Sequence, residues 1–461
     1  MAEAASLLWL RRDLRRADHP ALAAASARGP VVPCFVIDPE FFDNAGPVRQ
    51  GWLAATLTAL DESYDGRLCV RHGDPESVIP ALAAEVGATE VHVSTETEPG
   101  GSVRDERVRA ALARDNVGWV ETGSPYAVTP GRVLNRSEEP YRVFTPFARA
   151  WQEHGWRGPA VEPQSVELVA APSSGVAREL MAAALAGCPI ELPPAGERAA
   201  LERWADFLDS DLRGYDTARD RPDLSGTSRL SPYLKFGVLH PRTLLADLAG
   251  RSGAGTRRYV LELAWREFYA DVLHHNPGSL SADLHSLGVS YDDPGKDFDA
   301  WREGRTGYPI VDAGMRQLLA TGWMHNRVRM ITASFLTKDL HIWWPHGAQH
   351  FLDHLIDSDL AANAHGWQWT AGTGTDAAPY FRVFNPVTQA EKFDPHGDYV
   401  RQWVPELRHL PGAAAHRPWE ASDGCAHGYP ERILDHAAER AEALARYQQA
   451  RAASAPSQAV S

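Results

Sequence analysis

Four stretches in the second half of this 461-residue chain combine residue types at spacings that can do chemistry. The first contains Tyr215, Arg219-Asp220-Arg221-Pro222 and Gly226-Thr227-Ser228-Arg229-Leu230-Ser231. Small residues entering a helix offer backbone N–H groups and hydroxyls to a phosphate, and a guanidinium adds charge. A plain helix cap is the simpler use of such a run taken alone. The second is Glu262-Leu263-Ala264-Trp265-Arg266-Glu267-Phe268-Tyr269. A carboxylate one turn from an indole can hydrogen-bond and stack on a flat heterocycle, although an aromatic core helix has the same pattern. The third, Trp323-Met324-His325-Asn326-Arg327-Val328-Arg329-Met330, lies in a segment with no carboxylate between Asp312 and Asp339. That segment holds Arg316, Arg327, Arg329 and Lys338, and a second acid-free segment, Leu224 to Ala246, holds Arg229, Lys235 and Arg242. Such islands read either as a focused anion-binding surface or as solvated helix faces. The fourth, Asp357-Ser358-Asp359 followed by Asn363-Ala364-His365-Gly366-Trp367-Gln368-Trp369, packs more polar groups than a core requires. Within it Asp357 could pair with Arg329, and a buried ion pair of that kind needs a ligand or hydrogen bonds to be tolerated.

These groups need a scaffold, and the chain supplies one in parts. Over residues 1–130, short apolar runs at Leu7–Leu10, Val31–Ile37, Leu68–Arg71, Glu90–Ser94 and Trp119–Glu121 alternate with helical stretches Pro47–Tyr64, Pro75–Val86 and Val103–Ala113. That alternation predicts a doubly wound parallel sheet. Arg11-Arg12-Asp13-Leu14-Arg15 follows the first strand where a dinucleotide fold would carry GxGxxG, so an ordinary dinucleotide site is not expected there. Residues 131–196 turn rich in Pro, Ala, Ser and Gly and read as a connector, with one short helix at Val176–Ala186. Residues 197–447 are helical and Trp-rich. In the predicted helix Thr256–His275, Glu262, Trp265 and Tyr269 share a face. Residues 448–461 are expected to form a disordered tail.

Composition narrows the classes. Hydrophobic residues at 44% and charged ones at 23% make a globular chain rather than a disordered one. A net charge of −14 argues against nucleic-acid binding by bulk charge and leaves room for a local groove. Four scattered cysteines without a CxxC pair weaken zinc, iron–sulfur and disulfide readings, so no metal is expected. No apolar run approaches the roughly 20 residues of a membrane span. A cytoplasmic monomer with no membrane partner is the expectation.

Taken in order, the Thr-Ser-Arg-Leu-Ser run, the Trp-Arg-Glu-Phe-Tyr helix, Thr306-Gly307-Tyr308-Pro309-Ile310-Val311-Asp312, Trp323-Met324-His325-Asn326-Arg327 and Gly366-Trp367-Gln368-Trp369 resemble the DNA photolyase/cryptochrome family, specifically its class I cyclobutane pyrimidine dimer photolyases. The similarity runs from about Leu7 to Tyr447. It implies an α/β antenna domain, the connector, and a helical domain that binds FAD and the DNA lesion. Tyr215, Thr227, Ser228, Arg229, Leu230 and Ser231 match contacts to the FAD phosphates and ribityl chain, Arg329, Asp357 and Asp359 those along the flavin ring, and Asn363 the residue facing flavin N5. Glu262, Trp265, Asn326, Met330 and Trp369 match the pocket for the flipped-out dimer, and Arg219 and Gln389 match positions near the DNA backbone. Trp367 and Trp344 match the inner members of a tryptophan electron relay. Its usual outer position holds Tyr291, with Trp301 as the other candidate.

The activity implied is light-driven repair. Side-chain acid–base chemistry cannot open a cyclobutane ring, so the cofactor carries that step. Excited FADH⁻ lends one electron to the dimer, the ring splits and the electron returns. Glu262 would stabilise the dimer's radical anion, while Trp265 and Trp369 wall a lesion that is cheap to flip. Photolyases of the (6-4) type have two His where Asn326 and Met330 stand, plant cryptochromes have Asp at Asn363, and single-strand-preferring relatives lack the second indole of Trp367-Gln368-Trp369. These positions imply a cyclobutane dimer in UV-damaged duplex DNA as substrate. The usual Asn-Asn-Gly-Gly-Trp is here Asn363-Ala364-His365-Gly366-Trp367, a departure beside the flavin contact. Glu98-Pro99-Gly100-Gly101 before Arg104-Asp105 resembles the pattern of members that bind 8-hydroxy-5-deazaflavin as antenna, but lacks its Tyr. That antenna is expected near Arg49 and Asp105, with methenyltetrahydrofolate or no second chromophore as alternatives. A cryptochrome-like blue-light receptor without repair activity is the competing function.

Overall fold

The computed structural model describes residues 5–377 and 379–454. Five strands, β1 (Ser6–Leu10), β2 (Val31–Ile37), β3 (Cys69–His72), β4 (Glu90–Val93) and β5 (Gly118–Glu121), form one parallel sheet in the order β3-β2-β1-β4-β5. Every residue of β1 and β2 is buried, which is why these segments read as unbroken apolar runs rather than alternating ones. The intervening helices include Pro20–Ser26, Pro47–Ser63, Pro75–Val86 and Pro99–Arg114. Each begins with proline, whose fixed φ suits the first helical turn and whose missing N–H costs nothing there.

The strand order reverses between β1 and β4, where open α/β sheets bind ligands. Here the crevice is filled by side chains. Arg11 N–H donates to Asp13 Oδ1 at 2.8 Å, Ser94 Oγ donates to Asp13 Oδ2 at 2.6 Å, and the Arg11 guanidinium donates to the Ser94 carbonyl. This network stands where a glycine-rich phosphate loop would be.

The connector returns to the sheet. Leu168 bridges Val31 in parallel, the amide of Val70 donates to Ser173 Oγ at 2.9 Å, and the helix Gly175–Ala186 packs on Pro47–Ser63. From Glu197 onward the chain is helical, including Ala254–His275, Asn326–Ser334, Trp344–His354 and Leu360–Ala371.

Contacts divide the chain into two compact units. One takes the chain up to Asp216 with Ser228–Pro277 and Ile356–Asp359, and the other takes Thr217–Thr227, Gly278–Leu355 and the chain from Leu360 onward. The second unit's core gathers Trp301, Tyr308, Phe335, Trp344, Phe351, Trp367 and Tyr399. The last helix, His436–Ser454, continues through 448–454, where a disordered tail was expected, while 455–461 lie outside the described residues. Tyr447 anchors it by stacking on Tyr380 with ring centroids 4.9 Å apart. Among the described residues no helix is long and apolar enough to cross a membrane.

Candidate active site

In the first unit, the run Ser228-Arg229-Leu230-Ser231 opens the short helix Ser231–Lys235. Arg229 holds φ at +52°, a left-handed conformation that costs a non-glycine residue energy and turns the chain sharply. Arg203 Nε donates to the Ser228 carbonyl at 2.8 Å, Ser228 Oγ meets the Tyr259 hydroxyl at 2.9 Å, and Ser231 Oγ donates to Asp357 Oδ2 at 2.6 Å. Tyr215 packs edge-on against Tyr259, with centroids 5.2 Å apart. The buried Asp357 and the largely covered Asp359 therefore belong to the same unit as the serine run, brought there by three-dimensional packing across about 130 residues of sequence. Asp359 lies 3.8 Å from Arg12, whose guanidinium also meets Glu96 and Glu98, each at 3.1 Å. Hydroxyls and an exposed guanidinium suit phosphate oxygens, and shielded carboxylates suit ring N–H groups or a ribityl hydroxyl. The donor set fits FAD.

The helix Ala254–His275 uses two faces. Glu267 is buried and accepts from the amides of Ala127 and Val128 (3.0 Å to the latter) and from Trp151 Nε1 at 2.6 Å, while Asp271 accepts from the Gly131 amide at 2.7 Å. Burial raises the Glu267 pKa, opposed by those donors. These bonds orient the other face, which carries Glu262 and Trp265. Glu262 pairs with Arg258 at 3.0 Å, one turn back. Trp265 stacks flat on Phe144, centroids 3.7 Å apart and planes 8° from parallel, and meets Tyr269 at 5.3 Å. One indole face is thereby braced and the residue remains half-buried.

In the second unit, His325 caps the helix Asn326–Ser334: its Nδ1 accepts the Arg327 amide at 3.2 Å, which requires a neutral ring. Burial, aided by the charges of Arg327 and Arg329, holds its pKa down at about 4 against the opposing pull of Asp220. Asn326 is exposed, with Nδ2 3.9 Å from Met330 Sδ one turn on. Arg329 Nε donates to the Met324 carbonyl at 2.8 Å. Asn363 Nδ2 donates to the Ala348 carbonyl at 3.0 Å, which fixes which end of its amide is committed to the protein. His365, the departure beside it, is buried with Nε2 3.4 Å from Ser279 Oγ, and Gln368 donates to the Ser279 carbonyl at 2.7 Å.

The relay candidates share this unit. Gly347 lies so close to the six-membered ring of Trp367 that a Cβ there would fall 2.7 Å from its Cζ3 and 2.5 Å from Leu336 Cδ2. Only glycine lets the helices bearing Trp344 and Trp367 approach so nearly. Trp301 lies 6.1 Å from Trp367 between centroids and is fully buried, its Nε1 donating to the Thr332 carbonyl at 3.0 Å.

Arg219 and Gln389, matched to the DNA backbone, each lie close in sequence to a residue that Arg327 contacts. Arg327 bonds Asp220 at 2.9 Å, beside Arg219, and lies over Phe393, 4.4 Å from its centroid, one turn after Gln389. Several cations of the two acid-free segments are, however, already paired or buried. Lys235 pairs with Glu98 at 2.8 Å and Arg316 with Glu406 at 2.7 Å. Lys338 is wholly buried on the Arg382 carbonyl, and burial lowers its pKa to about 7. The absence of nearby acids in sequence was offset by acids from distant segments. At the expected antenna position, Arg49 reaches back to the Asn44 carbonyl at 3.2 Å. Asp105 is buried with Oδ2 3.0 Å from Arg11 and Oδ1 2.8 Å from Arg104. Both guanidiniums lie over Trp9, at 4.7 and 5.0 Å.

A parallel sheet of this order, followed by helices that present hydroxyls, guanidiniums and shielded carboxylates beside an aromatic-lined face, defines a flavin-binding architecture. Residues 6–167 match the family described as DNA photolyase, and residues 259–449 match the FAD binding domain of DNA photolyase. The chain is 40% identical to a deoxyribodipyrimidine photo-lyase of Halobacterium salinarum, with 96% of this chain and 99% of that protein covered. It is similar to the crystal structure of a bacterial class III photolyase from Agrobacterium tumefaciens, at 37% identity and TM-score 0.90 over 98% of both chains. An archaeal photolyase from Sulfolobus tokodaii solved with two FAD molecules is 29% identical, with TM-score 0.83 over 96% of this chain and 99% of that one. The chain belongs to the DNA photolyase family.

Proposed function

We propose that this protein is a light-driven deoxyribodipyrimidine photo-lyase that splits cyclobutane pyrimidine dimers in duplex DNA. The observation that carries the reading is the face of the helix Ala254–His275: a carboxylate, Glu262, three residues before an indole, Trp265, that is braced flat on Phe144. A braced indole offers a flat apolar wall without losing entropy on binding, and the carboxylate offers an acceptor for a pyrimidine's imide N–H. Bound FAD, in its reduced form, supplies the transferable electron. Ser228, Arg229 and Ser231 would hold its phosphates and ribityl chain, Asp357 and Asp359 would accept hydrogen bonds along it, and Asn363 would present its amide to the flavin edge. Trp369, Asn326 and Met330 would contact the lesion, and Arg219, Arg327 and Gln389 would hold the DNA backbone. Family membership and the names of the relatives support the reaction.

The class I placement is part of the proposal and rests on Asn326, Met330, Asn363 and Trp369; likeness to the Agrobacterium class III enzyme supports the competing placement. For the antenna, 8-hydroxy-5-deazaflavin remains the reading. The Sulfolobus photolyase, with its two FAD molecules and the novel light-harvesting cofactor they imply for that protein, makes a second FAD the competing antenna. Extraction and chromatography of the bound chromophores separates these options.

The deciding measurement is repair of a duplex oligonucleotide with one defined thymine dimer, under blue light and in the dark, beside a (6-4) lesion. Loss of the thymine dimer only in the light is expected. No repair by fully reduced, flavin-loaded protein would overturn the proposal in favour of a photoreceptor.

A further inference from the structure

Hydrogen bonding sets Trp367 apart from Trp343 and Trp344. Trp367 is 3% exposed, and its buried Nε1 has no hydrogen-bond partner among the described residues. Trp344, fully buried, donates its Nε1 to Asp283 Oδ1 at 2.8 Å. Trp343, the next residue back, donates to the same oxygen at 3.2 Å, its ring centroid 6.5 Å from that of Trp344. An indole that loses an electron becomes a cation with a strongly acidic N–H. A carboxylate on that N–H stabilises the charge and can take the proton, and a buried N–H with no acceptor offers neither. Positive charge therefore moves favourably from Trp367 towards the pair that shares Asp283.

We propose that Trp343 is the outer donor of the tryptophan relay and that Asp283 accepts its proton. The inference rests on the relay reading of Trp367 and Trp344. Trp343 is half-buried and packs against the core that contains both, so it joins that core to solvent. The other candidates are placed less well. Trp301 is fully enclosed, with its N–H on a backbone carbonyl. Tyr291 packs instead with Val289, Tyr380, Ala443 and Ala450, and burial, together with the nearby Asp283 charge, pushes its phenol pKa up. A phenol is oxidised easily only as it passes its proton to a hydrogen-bonded base, and among the described residues Asp283 accepts from Trp343 and Trp344 but not from Tyr291.

Trp344, oxidised through Trp367 by light-excited oxidised FAD, takes one electron from the Trp343 indole. The Trp343 N–H bond breaks, the proton goes to Asp283 Oδ1, and a neutral indolyl radical remains. An external thiol returns one electron and one proton to that nitrogen and becomes a thiyl radical, while Asp283 releases its proton to water.

The test is photoreduction of the oxidised, FAD-loaded full chain in dithiothreitol under blue light, followed by transient absorption, with flavin content and circular dichroism as folding checks. Trp343→Phe is expected to lower the photoreduction yield several-fold and to shorten the lifetime of the separated radical pair. Asp283→Asn is expected to keep the long-lived species as an indole radical cation, spectrally distinct from the neutral radical. Wild-type yield in Trp343→Phe combined with loss in Tyr291→Phe would overturn the proposal. So would an unchanged conversion to the neutral radical in Asp283→Asn. Trp367→Phe identifies failure of the underlying relay: wild-type photoreduction in that variant sinks the relay and, with it, the role of Trp343.

Discussion

Glu262 shows how a single residue's surroundings decide what its loss will do. It pairs with Arg258, one turn back on the same helix and partly exposed. Such pairs contribute about 0.3–0.5 kcal/mol, so Glu262→Ala should leave stability nearly unchanged. The same carboxylate is proposed to bond the lesion, where a hydrogen bond to a charged group is worth about 1.5–3 kcal/mol. Repair efficiency should therefore fall by about tenfold or more while FAD content holds. Quantum yield and flavin absorbance measured on one preparation check this, and a wild-type yield would remove Glu262 from the pocket. Glu262 and Trp265 could be picked out in sequence because their spacing alone puts them on one face. Phe144, which braces Trp265, could not, because it comes from another helix more than 100 residues earlier.

At the scale of the element, the helix Asn326–Ser334 depends on an uncharged histidine. His325 Nδ1 accepts the Arg327 amide, one of the free amides in the first turn of that helix, and protonation would replace an acceptor with a donor. Its folded pKa is about 4, against about 6.5 for an unperturbed histidine, so the unfolded chain binds the proton first as pH falls. Stability is complete above about pH 6.5 and declines towards pH 4, with about 2 kcal/mol lost from this residue by pH 5. His240 and His350, held by burial at about 4 and about 3, act in the same direction. Thermal unfolding at pH 7.5 and pH 5 should show a marked fall in Tm. His325→Asn, which keeps a capping acceptor that does not titrate, should make that fall shallower. Equal slopes for the two proteins would show that the cap is not the titrating group. Sequence spacing predicted the helices and the parallel sheet closely, since period and proline placement are local signals. It had no means of assigning a histidine to a cap, which needs the ring's orientation.

Across the whole molecule, the net charge of −14 means that DNA must be met by a few local cations. The acid-free segments seemed to supply many, but Lys235 and Arg316 are neutralised by Glu98 and Glu406, and Lys338 is buried. Arg327 remains the cation best placed beside Arg219 and Gln389, although it shares Asp220. Each phosphate contact contributes a slope of about −0.9 in log K against log salt. Arg327→Ala should flatten the slope for dimer-containing duplex by about that amount, as read from a salt series of binding titrations. An unaltered slope would place Arg327 away from the DNA.

What the chain's residues determined by themselves was whatever depends on neighbours in sequence. That covers strand–helix alternation, helix faces, and motifs whose order and spacing resemble a family, and through them the flavin and the reaction class. Tertiary structure decided which charges are free, which histidine must stay neutral, which glycine lets two helices close on Trp367, and that Trp343 and Trp344 share one carboxylate. The physical reason is range. Backbone periodicity and turn chemistry act over a few residues, whereas electrostatic energy, burial and hydrogen-bond satisfaction are set by groups that meet only after folding. The adjacent indoles of Trp343 and Trp344 were visible from the start; the carboxylate of Asp283, 60 residues before Trp343, is what gives the pair a direction.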